Sequence, residues 1–167
     1  MRYTEVKLND IVNSDGGVNI SVWTQGCPHR CKDCFNPSTW SFNTGREYNE
    51  ELIDYIFSNI DKHNIKRNLS ILGGEALCEQ NVSGIVDLCK VFKEKYPNKK
   101  ILIWTGYTYE NLNTEQKKVL QYIDVLVDGR FEIDKKDISL KMRGSSNQRI
   151  IDIKETLKQN KVIKLNK

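Results

Sequence analysis

Apolar residues follow two alternating patterns along this chain. Short runs rich in β-branched and aromatic side chains have the period of two that is typical of strands, whereas longer segments have the three- and four-residue spacing of a helix. The short runs predict strands at Val18–Trp23, Leu69–Leu72, Ile101–Trp104, Val125–Val127 and Arg149–Ile153. The longer segments predict helices at Glu50–Lys62, Val82–Phe92, Thr114–Tyr122 and Lys154–Asn160.

Polar residues at the ends of two predicted helices support these assignments. Asn49 is a suitable N-cap for the first helix, and Asn81 is a possible N-cap for the second. Pro97 lies just beyond the second helix, where it stops further helical growth. The first helix has one apolar face, formed by Leu52, Ile53, Ile56, Phe57 and Ile60.

The alternation of strands and helices indicates the fold class. It predicts an α/β fold with a mostly parallel sheet of about four or five strands. We expect one domain over residues 1–167, because no repeat, linker or low-complexity tract interrupts the pattern. Four predicted strands end in polar or glycine-containing tails, at Thr24–Gly26, Gly73–Glu75, Thr105–Tyr107 and Asp128–Arg130. Since the carboxyl ends of parallel strands share one edge of a sheet, these tails should lie together.

Composition and charge narrow the classes of function. The net charge of +4 arises from 26 basic and 22 acidic residues, without the basic and aromatic stripe of a nucleic-acid-binding surface. The densest basic run, Lys93–Lys100, is interpreted as a solvated helix end, with a partner-binding patch as the alternative. No apolar stretch has the length of a signal peptide or a membrane span, so we expect a cytoplasmic protein.

Three of the five cysteines, Cys27, Cys31 and Cys34, follow the spacing C-x3-C-x2-C. In a reducing compartment, such clustering indicates metal binding or redox chemistry rather than disulfides. Structural zinc would need a fourth ligand, for which His29 is the nearby candidate. An iron–sulfur cluster held by three cysteines would instead leave one iron open to a small molecule. Zinc and buried unliganded cysteines remain alternatives to this open-iron cluster, which we favour.

Gly73-Gly74-Glu75 is the second chemical signal. Two glycines after a strand let the backbone approach a ligand closely, and a carboxylate beside them can hold an ammonium group. An ordinary Gly-Gly turn before a helix is the alternative interpretation. The chain contains neither a Walker loop nor a dinucleotide fingerprint.

The cysteine loop and Gly73-Gly74-Glu75 together resemble the radical S-adenosylmethionine (SAM) enzymes. Four further stretches narrow this resemblance, namely Phe35–Trp40, Trp104–Tyr107, Asp124–Gly129 and Arg143–Asp152. In this order, over about Tyr3–Asp152, the chain resembles the activating proteins of anaerobic (class III) ribonucleotide reductases. The combination is specific, although each stretch alone is modest.

The resemblance implies a partial, open β/α barrel with a 4Fe-4S cluster held by Cys27, Cys31 and Cys34. SAM would bind the fourth iron, and its reductive cleavage would give a 5′-deoxyadenosyl radical that removes hydrogen from a glycine of the large reductase subunit. The implied electron donor is a flavodoxin or ferredoxin, and no residue is expected to act as an acid–base catalyst. Glu75 is expected to hold the SAM amino group. The full implied SAM site comprises Asp33, Cys34, Phe35, Gly73, Gly74, Glu75, Thr105, Asp128 and Asn147.

Two positions depart from the superfamily pattern. Asp33 precedes the last loop cysteine, where many radical SAM enzymes have an aromatic residue that packs on adenine, so Phe35 is the predicted adenine contact. Ala76 replaces the usual proline after Gly-Gly-Glu. The remaining cysteines are predicted to be structural, with Cys89 in the core and Cys78 possible near the active edge.

Two other functions are kept as hypotheses. Another compact radical SAM enzyme would activate a different glycyl-radical protein or modify a small molecule. A non-catalytic metal-binding or electron-transfer module would have no use for a SAM-binding tail, so Gly73–Glu75 disfavours it.

Overall fold

The computed structural model describes residues 1–165 and contains seven strands that form one sheet. The strands are β1 (Arg2–Asp10), β2 (Val18–Gln25), β3 (Arg46–Glu47), β4 (Arg67–Gly73), β5 (Ile101–Trp104), β6 (Val125–Asp128) and β7 (Arg149–Asp152). Their order across the sheet is β3-β1-β2-β4-β5-β6-β7. The central strands β2, β4, β5 and β6 are parallel, and the outer pairings are antiparallel. The last two residues of the predicted 1–167 domain lie outside the described residues.

The predicted strand count of four or five is wrong, and the sheet is parallel only at its centre. All five predicted strands are present, and β1 and β3 are additional. In β1, the partly buried Val6 and Leu8 alternate with the exposed Glu5, Lys7 and Asn9, and two aliphatic residues give only a weak apolar signal. The two-residue β3 is held only by its pairing with β1, so no local pattern predicts it.

Within residues 1–165, four α-helices accompany the sheet: α1 (Glu50–Asn59), α2 (Glu79–Lys95), α3 (Thr114–Lys117) and α4 (Ile153–Gln159). The predicted helix at Thr114–Tyr122 is instead α3 followed by a 3-10 turn at Lys118–Gln121. Asn49 is confirmed as the N-cap of α1, because its side chain accepts a hydrogen bond from the Leu52 amide.

The prediction that Asn81 caps α2 is wrong. The helix begins at Glu79. The side-chain Nδ2 atom of Asn81 donates to the backbone carbonyls of Gln25 and Glu75 at 2.9 and 3.0 Å. Asn81 therefore joins the start of α2 to two strand tails rather than to its own helix end.

The two faces of the sheet have different surroundings. On one face, strand residues such as Val22, Ile71 and Ile103 belong to a large core that includes Leu52 of α1 and Phe92 of α2. Each such buried side chain stabilises the fold by about 1.5–3 kcal/mol. Their strand neighbours Trp23, Leu72 and Trp104 point to the opposite face by the alternation of a strand, and they line a cavity there.

The basic run Lys93–Lys100 makes ion pairs with acidic side chains of the same chain. Lys93, Lys99 and Lys100 bond Asp124, Asp61 and Asp15 at 2.8, 2.6 and 2.5 Å. This arrangement favours the helix-end interpretation over a partner-binding patch. Among residues 1–165, no helix is long and apolar enough to cross a membrane.

Candidate functional site

The tails that follow the central strands lie together, as predicted. Three hydrogen bonds join successive tails: Gly74 N to Thr24 O at 2.9 Å, Gly106 N to Glu75 Oε2 at 2.7 Å, and Gly129 N to Tyr107 O at 2.9 Å. The carboxyl edge of the parallel strands is therefore one connected surface, which begins with the cysteine loop after β2.

The cysteine loop, residues 27–34, is shaped by its own backbone. Cys27 donates its amide to the carbonyl of Trp40 at 3.2 Å, and Cys34 donates to Cys31 at 3.2 Å. Arg30 and Asp33 both have left-handed backbone conformations, with φ of 46° and 54°. These turns curl the loop so that all three cysteines line the cavity while remaining partly exposed.

The surroundings of the thiol groups do not support the alternative of a single zinc ion. His29, the candidate fourth zinc ligand, has its Nε2 atom 2.8 Å from Glu75 Oε2 instead. In the described part of the chain, no three Cys, His, Asp or Glu side chains converge as the ligands of one metal ion would. A 4Fe-4S cluster makes a different demand, because each cysteine binds a separate iron.

The Cys27 thiol lies in an environment that disfavours a free thiolate. Burial raises the pKa of this thiol, and the negative charge of Glu75 adds to that effect, against backbone hydrogen bonds from His29 and Arg30. Binding to a metal deprotonates such a thiol directly. Cys27 is thus a poor candidate for a free nucleophile, and a metal that bound it would have to displace its proton.

Glu75 joins several parts of this edge. Its side chain is 1% exposed. Oε1 accepts hydrogen bonds from Thr105 Oγ1 at 2.7 Å and the Leu77 amide at 2.8 Å. Oε2 contacts the Gly106 amide at 2.7 Å and His29 Nε2 at 2.8 Å. A carboxylate has about four acceptor positions, so these contacts occupy its capacity.

The glycine at position 74 is required by the neighbouring strand tail. A Cβ atom there would lie 2.6 Å from the carbonyl oxygen of Gly26, closer than any side chain tolerates. The Glu75 amide bonds the same oxygen at 2.8 Å. The glycines of this tail were predicted to let the backbone approach a ligand. In the structure, Gly74 also lets the tail of β4 approach the backbone of Gly26.

A cavity of about 520 Å³ lies beside the tails, within the usual range for small-molecule sites. Six members of the predicted SAM site line it, namely Cys34, Phe35, Gly73, Gly74, Glu75 and Thr105. Asp33 is an exposed loop residue outside this lining. Asp128 is fully buried and bonds Arg149 and the Tyr109 amide, while Asn147 donates to the Arg130 carbonyl at 2.8 Å. For Asp33, Asp128 and Asn147, a role in SAM binding stays a prediction without support from the cavity.

Several residues that line this cavity are not among the predicted site residues. All three tryptophans of the chain, Trp23, Trp40 and Trp104, line it, as do Phe131 and Met142. Trp104 donates its indole N–H to the Met142 carbonyl at 2.8 Å, which holds the segment after β6 against the sheet. The two tryptophans in strands, Trp23 and Trp104, could have been found from the alternation of those strands, which puts them on the face opposite the core that includes α1 and α2.

The two remaining cysteines are buried. Cys89 lies in the core on α2, as predicted. Cys78 immediately precedes α2 and is 1% exposed. Burial raises the pKa of the Cys78 thiol to about 11, and the negative charge of nearby Glu75 contributes. Cys78 is therefore a protonated thiol near the strand tail that carries Glu75.

Comparison with known proteins agrees with this site. A family model described as a 4Fe-4S single cluster domain matches residues 12–151, which places the chain in a class of iron–sulfur proteins. The anaerobic ribonucleoside-triphosphate reductase-activating proteins of Escherichia coli (strain K12) and Vibrio cholerae are 41% and 40% identical over 149 residues, covering 89% of this chain and 96% of each relative. The protein of that name from Enterobacteria phage T4 is 34% identical, covering 90% of this chain and 93% of its own. The chain therefore belongs to the family of anaerobic ribonucleoside-triphosphate reductase-activating proteins.

Proposed function

We propose that this protein activates an anaerobic ribonucleotide reductase through radical SAM chemistry. The observation that carries the proposal is that three cysteines and the Gly73–Glu75 tail line one cavity at the carboxyl edge of a parallel sheet. The relatives named above are reductase-activating proteins, which supports the choice of partner. The activation itself would consist of hydrogen removal from one glycine of the large reductase subunit.

Cys27, Cys31 and Cys34 would hold a 4Fe-4S cluster, with SAM in the adjoining cavity. When bound, the cluster would supply one electron for the cleavage of SAM to methionine and a 5′-deoxyadenosyl radical. Cys34, Phe35, Gly73, Gly74 and Thr105 line the space where SAM would lie. Glu75 would receive the SAM amino group only by exchanging one of its present hydrogen bonds, and loss of the bond from the Thr105 hydroxyl would free no backbone amide and would leave His29 in place.

The chain around the cavity would orient SAM and exclude water. Phe35 packs against Phe131, with ring centroids 5.0 Å apart, beside Gly144. This contact joins the cysteine loop to the segment after β6 and presents an aromatic edge for the adenine. We further propose that the whole chain is one domain with the partial barrel of radical SAM enzymes and that it acts in the cytoplasm. Its electron donor would be a flavodoxin or ferredoxin, for which exposed Arg30 and Lys32 offer positive charge beside the cysteines.

The mouth of the cavity suits a polypeptide substrate. Val12, Phe35 and Ile138 come from three separate segments, line the cavity, and are 76%, 58% and 88% exposed. Exposed apolar side chains grouped around a site are typical of protein interaction surfaces. A segment of the reductase that carries the target glycine would cover these side chains and close the cavity.

Anaerobic SAM cleavage tests the proposal. The protein, reconstituted with iron and sulfide and reduced with dithionite, should form 5′-deoxyadenosine, and replacement of any one loop cysteine by alanine should abolish it. A non-catalytic electron carrier would load the cluster but form no 5′-deoxyadenosine, and this result would refute the enzyme. Cleavage without a glycyl radical on the reductase would favour another radical SAM substrate.

A further inference from the structure

His29, in the middle of the cysteine loop, occupies a socket formed by the tails of three other strands. Its Nε2 atom lies 2.8 Å from Glu75 Oε2, and only 11% of its side chain is exposed. Its ring packs edge-on against Tyr107, with centroids 4.7 Å apart. Its carbonyl accepts a hydrogen bond from Arg130 Nη2 at 2.6 Å. The tails of β4, β5 and β6 therefore each contribute one contact to this residue.

The size of the socket depends on Gly106. A Cβ atom on Gly106 would lie 2.6 Å from His29 Nε2, so any larger residue would displace the ring. Gly106 is not among the residues with positive φ, so its backbone conformation is open to alanine. Space for the imidazole is thus the physical reason for a glycine at this position.

The charged residues that follow His29 in the loop are exposed to solvent instead. Arg30, Lys32 and Asp33 are exposed, and Arg30 and Asp33 have left-handed backbones. His29 is two residues from both Cys27 and Cys31. Anchoring this one side chain thus restricts the positions of two thiols.

We propose that His29 is a positioning residue, which holds the cysteine loop in the geometry that binds the cluster by bonding Glu75. Because a carboxylate oxygen only accepts, Nε2 of His29 is the donor. This assignment differs from that of a zinc ligand, the role for which the sequence makes His29 a candidate. It rests on the proposed cluster site. Groups that orient metal ligands from outside the ligand set typically change metal affinity or activity by about 10- to 100-fold when removed.

Two substitutions test this role from opposite sides of the contact. His29→Ala removes the ring, and Gly106→Ala displaces it while leaving it in the sequence. His29→Gln retains a nitrogen donor for Glu75 and serves as the conservative variant. The matched control is His63→Ala, which removes the other histidine of the chain, an exposed residue in the 3-10 turn Lys62–Asn64.

The main readout is the rate at which an iron chelator removes iron from the anaerobically reconstituted protein. We expect this rate to rise about 10- to 100-fold in His29→Ala and Gly106→Ala, to return towards wild type in His29→Gln, and to stay unchanged in His63→Ala. The paramagnetic signal of the reduced cluster should shift in the same two variants and be restored in His29→Gln. In the metal-free protein, trypsin should cut faster after Arg30 and Lys32 when the ring is removed.

The outcomes separate this role from the proposed function. If the wild-type protein holds its cluster and both alanine variants release iron at the wild-type rate, the role of His29 is refuted and the cluster proposal stands. If His29→Gln is no better than His29→Ala, hydrogen bonding to Glu75 is refuted as the cause. A wild-type protein that binds no cluster refutes the proposed function, and with it the role assigned to His29.

Discussion

Replacing Glu75 by glutamine tests the structure at the point where its strand tails meet. The substitution keeps the shape of the side chain but turns one oxygen into an NH2 group. In one orientation of the amide, this group faces the Gly106 amide, and in the other it faces the Leu77 amide. Both amides are donors, so either orientation leaves one backbone N–H opposite another donor.

The size of the effect follows from these contacts. A buried donor without a partner destabilises a protein by about 1–3 kcal/mol, and the remaining contacts lose the extra strength of a charged acceptor. We therefore expect Glu75→Gln to lower the free energy of unfolding by about 3 kcal/mol. This loss is a large part of the free energy of unfolding of a typical domain, roughly 5–15 kcal/mol. The variant should nevertheless remain folded in the absence of urea.

Urea unfolding of the metal-free protein, followed by circular dichroism at pH 7, measures this loss. Glu94→Gln is the matched control, because Glu94 is exposed on α2 and makes a long ion pair, with Lys90 at 4.0 Å. The control should change the stability by no more than about 0.5 kcal/mol. A loss below about 1 kcal/mol in Glu75→Gln would show that the four contacts to this carboxylate do not hold the strand tails together.

Three further predictions concern the cluster, the fold and the partner surface. Replacement of Cys89 by alanine should leave the iron content of the reconstituted protein unchanged, whereas the same change at any loop cysteine should remove it. Asp124→Asn should lower stability by about 3 kcal/mol at pH 7 in urea unfolding, because Asp124 bonds Lys93 at 2.8 Å and Lys154 at 2.7 Å. Ile138→Asp should weaken binding to the reductase about tenfold in a titration, while SAM cleavage without the partner is kept.

The Asp124 effect should depend on pH in a defined direction. Burial acts to raise the pKa of this carboxyl, but hydrogen bonds from Lys154, Lys93 and the Ile101 amide outweigh it, so the pKa is lowered from 3.8. A group with a lowered pKa in the folded state stabilises the fold above its unfolded pKa and loses that contribution as pH falls through the folded pKa. The difference between wild type and Asp124→Asn should therefore shrink below about pH 4. A constant difference down to pH 2 would contradict the ion pairs.

Matched comparisons keep the other two predictions sharp. Leu157→Asp is the control for Ile138→Asp, since Leu157 is also exposed but lies on α4 and outside the cavity lining. Equal binding by both variants would mean that the mouth of the cavity is not the docking surface. Loss of a full complement of iron in Cys89→Ala would show that the division of the cysteines into ligands and core residues is wrong.

The local pattern of apolar residues was sufficient to predict the helices and strands that bury an apolar face. It also predicted the edge of the sheet on which the candidate site lies. The helical spacing from Leu52 to Ile60 and the strand runs each encode their own burial, and a parallel arrangement brings the tails after them together. Pattern was insufficient for β1, whose apolar residues are few, and for β3, which exists only through its pairing.

Other contacts of the site could not be predicted from the sequence, because they depend on pairings between distant segments. The surroundings of Asp128 depend on such a pairing, because the antiparallel arrangement of β6 and β7 sets it opposite Arg149, which its carboxylate bonds. Glu75 and His29 are 46 residues apart and meet only when the tails of their strands adjoin. Neither contact has a signal in the sequence until the order and direction of the strands are known.

We propose that the three loop cysteines and the adjoining cavity support radical generation on a partner protein. The most direct measurement is electron paramagnetic resonance after anaerobic incubation of the reconstituted protein with the large reductase subunit, SAM and a reductant. We expect a glycyl radical signal that requires SAM and each of Cys27, Cys31 and Cys34. A protein that carries its cluster and cleaves SAM, yet produces no glycyl radical on the reductase, would contradict it.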